Sequence, residues 1–474
     1  MKSRIALLCW LCVLTVAVVA CQEREIVEER EPLDILQLYR EPTAPTIRES
    51  NEANRRVVEL WTDDNEPEWV TIYEDVAERF MERYPEIEVR IVPVDESSLS
   101  ARMATAIQAD ALPDIARLGI ERVAPFADVG LLDYQAAETV IESIGEEEFR
   151  DGPLTMVTHP DTGQYMAVPY DGWIQALWYR ADLFEALELP PPTSWEAIHA
   201  AARALPRAGD VEFGIVLPTD PQQNYVHQVV EQVAISNDAW PFDDDGNVTM
   251  NSPEMTEALT WYTSLQEYAM PGPQYWRGAR EAYLRGQTGQ FFFSTYIMDD
   301  LVEGVGVEEG YPVQPAVADL ASKTGFAAVL EGPDGFATYG QLVTFAILRG
   351  ADPAAQDVVE FFLTEGYADV LAVSPFGKVP VLESAVDDWR QSSDYFRFYS
   401  DETLEQIVNG YETMQRWFLR PDYDAQERAI IGEIEGRLLI PQVIYQIAIE
   451  KTLTPRAAAD WLQAEVEALR EERQ

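Results

Sequence analysis

An α/β fold with a largely parallel sheet is predicted by two observations over residues 57–118, and a third sets its scale. Strand-like apolar runs alternate with segments of helical periodicity, and the links between them are short. The chain is also long enough, with 47% hydrophobic residues, to fill two or three cores. Val57-Val58-Glu59-Leu60-Trp61 reads as a buried strand. Trp69, Ile72, Tyr73, Val76 and Phe80 follow at helical spacing, with Pro67 at the start and Tyr84-Pro85 at the end. Ile87 to Val92 alternates like a strand, and Leu99, Met103, Ala106 and Ile107 form a second helical stripe. Leu112-Pro113-Asp114 then leads into the strand candidate Ile115 to Leu118. Such a grammar fits a sheet covered by helices.

The middle of the chain offers strand candidates at Tyr165 to Val168, Ala176 to Tyr179 and Phe213 to Leu217. Helices are predicted at Ser194 to Leu205, Pro253 to Tyr268 and Gln356 to Thr364. From Asp401 onward the pattern is mostly helical, with Pro421, Pro441 and Pro455 expected to break it into at least three pieces. No internal repeat has a fixed period.

Lys2 and Arg4 precede an apolar run from Ile5 to Ala20 that ends in Val18-Val19-Ala20-Cys21. A basic start, a short hydrophobic stretch and a small residue before cysteine form the pattern of a lipoprotein signal, cleaved before Cys21. The alternatives are an uncleaved anchor and ordinary secretion, and all three place the folded part outside the cytoplasmic membrane. Cys9 and Cys12 lie inside the leader, so the mature chain carries one thiol, the lipid attachment site Cys21. Residues 21–56, dense in charge and proline, read as an acidic tether after the 1–20 signal. No later apolar run reaches eighteen residues, so no further membrane span is expected.

The chain carries 83 Asp and Glu against 34 Lys and Arg, a formal charge of −49 that becomes −51 when Lys2 and Arg4 leave with the signal. The acids are spread throughout a hydrophobic-rich chain, which argues for a folded protein with an anionic surface. Such a surface repels nucleic acid and suits a saline habitat. Raising NaCl from roughly 0.1 to 1 M shortens the Debye length from about 10 to about 3 Å. The reversible thermal midpoint should therefore rise with salt; a flat or falling curve would mean that the acids already avoid one another.

Several blocks resemble, in order, the family 1 extracellular solute-binding proteins, the sugar-binding branch that includes maltose-binding protein. They are Val57 to Thr62, Phe80 to Val89, Ala109 to Ile115 and Gly130 to Asp133, then Gly163 to Tyr170, Leu177 to Phe184 and Pro191 to Ala197. Asn251-Ser252-Pro253-Glu254, Phe361 to Gly366 and Gly377-Lys378-Val379-Pro380 continue the likeness, which covers most of residues 57–382. Departures are local: Asp110 stands where glycine is frequent, Arg180 where asparagine is common, and Gly286 to Phe293 lacks the usual pattern.

The resemblance implies a two-lobed α/β fold, periplasmic-binding-protein-like and of type II, with a helical C-terminal region. Residues 57–167 and 338–376 would form the first lobe, and 168–337 and 377–474 the second. Ligand would bind between them and select closure.

Candidate ligand-binding residues follow from that cleft and from side-chain chemistry. Trp61, Asp63 and Asp64 follow the first strand, where loops at strand carboxyl ends line crevices, and Trp69 lies nearby. Tyr170-Asp171-Gly172-Trp173 falls near a predicted crossing. There Asp171 would hold a hydroxyl, Gly172 would allow a tight geometry and Trp173 would stack on a pyranose face. Trp240, Trp276, Tyr296 and Tyr339 add aromatic surface, while Arg277 and Phe376-Gly377-Lys378 are weaker candidates. Trp178 and Trp195 read as core.

Neither a catalytic residue nor a metal ligand nor a cofactor motif is selected by the sequence. His159, His199 and His227 are far apart without an HExxH pattern, no GxSxG elbow occurs, and the glycine-rich pieces lack a phosphate-loop ending. With 83 acids, no glycosidase pair can be chosen by spacing. The reading is a non-enzymatic, monomeric receptor tethered to a membrane by its N-terminal lipid. It would bind a neutral saccharide or polyol and deliver it to the permease subunits of an ABC importer, with no nucleic-acid partner. A polysaccharide-processing lipoprotein or a ligand-binding sensory adaptor are the alternatives.

Overall fold

The computed structural model describes residues 55–306 and 312–473. The signal, the lipid site Cys21 and nearly all of the tether lie outside the described residues.

The first third of the chain alternates as its periodicity predicts. It runs β1 (Arg56–Thr62), α1 (Pro67–Arg83), β2 (Ile87–Pro93), α2 (Glu96–Gln108), β3 (Ile115–Gly119), α3 (Ile120–Asp128), α4 (Tyr134–Ile144) and α5 (Asp151–Val157). Pro67 opens α1, where the missing N–H costs nothing, and Trp69, Tyr73, Val76 and Phe80 are its buried stripe. Asp110 adopts φ 49°, a left-handed geometry that accounts for a glycine preference at that turn and that Asp tolerates better than most residues.

The next segment contains β4 (Val168–Arg180), α6 (Ala181–Ala186), α7 (Trp195–Ala208), α8 (Asn224–Ile235), α9 (Pro253–Ser264), α10 (Trp276–Leu284), β5 (Gln290–Ser294) and α11 (Ile297–Glu303). It continues through β6 (Thr324–Ala327), β7 (Leu330–Glu331), β8 (Phe336–Ala337) and β9 (Tyr339–Ile347). The remainder is helical: α12 (Ala354–Thr364), α13 (Tyr367–Val373), α14 (Val386–Gln391), α15 (Asp401–Val408), α16 (Ala425–Gly436), α17 (Leu439–Tyr445) and α18 (Pro455–Glu472).

Seven strands share one sheet in the order β2-β1-β3-β9-β4-β5, with β6 also paired to β4. Only β1 pairs in parallel, with β2 and β3; β3–β9, β9–β4, β4–β5 and β4–β6 are antiparallel. The expectation of a largely parallel sheet is therefore corrected. Side-chain alternation fixes which face a strand buries but not the direction in which it runs.

Two further corrections concern strands. Val168 and Ala176–Tyr179, read as belonging to separate strands, are the two ends of the thirteen-residue β4. Its first half pairs with β9 as far as Gln175↔Tyr339, and its second half pairs with β5 and β6. Gly172 sits between, not in a turn but where the strands press together: a Cβ there would lie 1.9 Å from the carbonyl oxygen of Gln341. Phe213 to Leu217 forms only isolated parallel bridges, to Thr288, Ala269 and Phe291.

In the C-terminal region Pro455 opens α18 behind the Thr454 cap. Pro441, however, does not break a helix. It lies in the first turn of α17, and the interruption is at Leu438, which is left-handed at φ 55°. Helix α16 packs on α3, and also on α17 and α18. Arg428 of α16 holds Asp128 of α3 through both carboxylate oxygens, at 2.8 and 3.2 Å, with Arg428 buried and Asp128 half-buried. No helix among the described residues is long and apolar enough to cross a membrane.

Candidate functional site

Beside the paired strands β4 and β9 lies a cavity of about 1010 Å³. Strand alternation explains its wall. Asp171 and Trp173 on β4 and Tyr339, Gln341 and Val343 on β9 are odd-numbered positions in one register, with Asp171↔Val343 and Trp173↔Gln341 opposed. The carboxyl ends of β1 and β3 add Asp63, Asp64 and Glu121, and the start of α1 adds Trp69. Across the cavity stand Asn224 and Gln228, one helical turn apart on α8, together with Tyr296 and residues 428–436 of α16. Gly377 is required there by close approach: a Cβ would lie 1.8 Å from the Tyr296 ring.

An ionic cluster closes the base of the cavity. Arg117, at the centre of the otherwise apolar strand β3, bonds Asp63 at 2.5 Å and Asp171 at 3.1 Å, and its Nε lies 3.1 Å from Asp64. The Lys378 ammonium approaches Asp64 at 2.9 Å and Asp171 at 3.3 Å, and stands 4.3 Å from the centre of the Trp69 ring. Tyr73 donates its hydroxyl to Asp64 at 3.2 Å. Burial opposes the charge on Arg117, but Asp64, Asp171 and Asp63 outweigh it and hold the guanidinium well above its ordinary value. For Asp64, burial pushes the carboxyl up, yet Arg117 and Lys378 prevail and hold it below the usual carboxylate range.

The predicted residues separate accordingly. Asp63, Asp64, Asp171, Trp173, Tyr296 and Tyr339 come together around this cavity. Asp171 is 1% exposed and committed to two cations, so the expectation that it mainly grips a ligand hydroxyl gives way to a structural role. Trp61 is corrected more fully. It is still inside β1, paired with Val92 and Ala116, and its ring is buried beneath Arg102, whose guanidinium is 4.4 Å from the ring centre. Trp240 lies apart as well, in a cavity of about 580 Å³ with Met166 and Met414, with Arg420 over its ring. Trp276 lines an adjoining chamber of about 590 Å³.

Arg117, Gln341, Asn224, Gln228 and Arg416 escaped the sequence reading. Arg117 left one signal, a cation inside the apolar run Ile115-Ala116-Arg117-Leu118. Asn224 and Gln228 left none, because their recruitment depends on where α8 docks. No group of acids, histidines and cysteines that could hold a metal occurs among the described residues.

A model of the bacterial extracellular solute-binding proteins matches residues 63–369. The chain belongs to that family. Across 411 residues it is 28% identical to YcjN of Escherichia coli (strain K12), provisionally named an ABC transporter periplasmic-binding protein; the match spans 85% of this chain and 90% of YcjN. Solved structures share the fold at lower identity. The GacH receptor of Streptomyces glaucescens GLA.O, seen unliganded and with acarbose, superposes with a TM-score of 0.65 at 16% identity, over 88% of this chain and 99% of its own. Maltose-bound MalE3 of T. maritima gives 0.64 at 19% identity, over 87% and 99%. A solute-binding protein of Agrobacterium radiobacter K84 in complex with ribitol gives 0.65 at 18% identity, over 88% and 100%. The fold is thus the two-lobed type II binding-protein fold, and the family is one of extracellular solute-binding proteins, which places the chain outside the cytoplasm.

Proposed function

We propose that the cavity beside β4 and β9 binds a neutral saccharide or polyol and that the protein delivers it to the permease subunits of an ABC importer. The observation that carries this reading is the wall itself. The partly exposed Trp173 offers a flat apolar surface beside Gln341, Asn224 and Gln228, neutral groups suited to hydroxyls. The charged groups at the base, three carboxylates and two cations, are engaged with one another rather than presented to a ligand. Relatives of the same fold whose ligands are acarbose, maltose and ribitol support the class. In this reading 57–167 with 338–376 and 168–337 with 377–474 are the two lobes, and β4 and β9 begin at two of the crossings. The protein is a monomer without catalytic turnover, and it is anchored through lipid on Cys21. Replacing Cys21 with Ser should abolish lipid labelling and release the protein from membranes; retained labelling refutes the anchor.

The test is a thermal-shift screen of sugars and polyols in high salt, followed by calorimetry and mass spectrometry of the recovered ligand. A bound sugar returned unchanged supports a receptor, whereas repeated cleavage or transfer would mean an enzyme. Trp173→Ala should weaken binding by about 1–3 kcal/mol, the scale of a buried aromatic contact and roughly 5- to 150-fold in Kd. A change below twofold in a folded variant removes Trp173 from the site.

A further inference from the structure

The chamber around Trp276 is not separate from the main cavity. The two share Trp173, Tyr296, Asn224 and Gln228, which form a waist between volumes of about 1010 and 590 Å³. The smaller volume lies inside, and the larger at the upper end of, the range of about 300–1,000 Å³ that holds a small molecule. The waist is chemically prepared for a ligand passing through it: Asn224 donates its amide to Glu435 at 2.5 Å, while its Oδ1 is buried with no hydrogen-bond partner among the described residues. In the outer chamber Trp276 is 37% exposed, an unusual state for a large ring among the described residues. The guanidinium groups of Arg277 and Arg280 are 5.3 and 5.2 Å from its ring centre, and Arg280 is fixed to Asp300 at 3.2 Å.

Resting on the saccharide reading above, we infer that the two chambers are successive subsites for one elongated saccharide of at least two rings, with Trp173 at the waist and Trp276 as the outer stacking platform. The waist residues touch the ligand between its rings, so Asn224 Oδ1 accepts a hydroxyl hydrogen that no protein donor supplies. Arg280 and Asp299, both in the lining of the outer chamber, address the outer ring's hydroxyls. Burial, reinforced by Asp300, pushes the Asp299 carboxyl up to about 7. Near neutrality it is therefore protonated for much of the time, and such a group donates to a sugar oxygen as readily as it accepts. A monosaccharide or small polyol would fill one chamber and leave the other to water.

Calorimetric titration with matched sugars tests this: glucose against maltose, cellobiose and laminaribiose, and xylose against xylobiose. At least one disaccharide should bind about tenfold or more tightly than its monosaccharide. Trp276→Ala should lower that ratio at least about fivefold, and Trp276→Phe, which keeps a stacking ring, should preserve most of it. Ratios near one in every pair, or a ratio untouched by Trp276→Ala in a folded variant, overturn the two-subsite inference while leaving sugar binding intact. Binding by none of these sugars or by any polyol overturns the saccharide reading as well, and this inference with it.

Discussion

Arg117→Met should lower the free energy of unfolding at neutral pH by about 3–5 kcal/mol, the cost of leaving buried charges without their partner. The side chain is nearly isosteric in its stem, so little packing is lost. What remains is Asp63, Asp64 and Asp171 facing a single cation, and Lys378 reaches only the last two. Against a domain stability of roughly 5–15 kcal/mol, that loss would bring the protein near its threshold. Urea denaturation followed by tryptophan fluorescence gives the difference. The penalty should also depend on pH in one direction. The folded-state value of Asp64 lies below its unfolded value of about 3.9, so its contribution is complete above that pH and is lost as pH falls through the lower, folded value. The gap between wild type and variant should consequently be widest near neutrality and narrow below about pH 4. A gap under about 1 kcal/mol at pH 7 would mean that water or salt already neutralises the cluster. Arg117→Lys should fall between the two, keeping the charge but losing the fork that reaches three carboxylates.

The same cluster shows where sequence reasoning reached and where it stopped. The alternation from β1 to β3 was legible because each segment carries its own period, and family likeness extended the fold through regions where that period is weak. Asp171 and Trp173 were legible as cleft residues, but the chemistry of Asp171 was not, since nothing near it in sequence reveals that Arg117 and Lys378 converge on it. Trp61 misled for the opposite reason: strand β1 continues one residue beyond it, so the loop begins only after Thr62. The long β4 read as two strands because Asp171-Gly172 has the composition of a turn. Its glycine is used instead for close approach to β9. The contact of α16 with α3 joins residues 300 positions apart in the Asp128–Arg428 pair, and local pattern carries no information about it.

Glu231→Gln should cost a similar 3–5 kcal/mol at neutral pH, although its shape is preserved. Glu231 lies on α8 in the run Val229-Val230-Glu231-Gln232-Val233, all of it buried. One carboxylate oxygen accepts from Arg416 Nε at 3.0 Å and from the Trp417 backbone N–H at 2.7 Å, and the other meets His227 Nε2 at 3.1 Å. Arg416 in turn donates to the Gly340 carbonyl at 3.3 Å and stacks 4.2 Å from the centre of Tyr339, so Glu231 ties α8 to the paired strands that wall the cavity. Its neutral replacement leaves the Arg416 guanidinium buried, with Glu435 at 4.0 Å as the nearest remaining carboxylate in an ion pair with it. Burial pushes the Glu231 carboxyl up, but Arg416, His227 and the Trp417 N–H overcome it and bring it down to about 2. The unfolded value is about 4.3, and about 1.4 kcal/mol per unit makes the charged form worth about 3 kcal/mol. That stability is present above about pH 4.3 and lost as pH falls through about 2, so the denaturation midpoints of wild type and variant should converge across that window. Ligand affinity should fall as well, because Arg416 and Tyr339 both line the cavity and lose their fixed geometry together. A variant within about 1 kcal/mol of wild type at pH 7, or a gap that stays constant between pH 4 and 2, would show that Arg416 does not depend on Glu231 for its place in the wall.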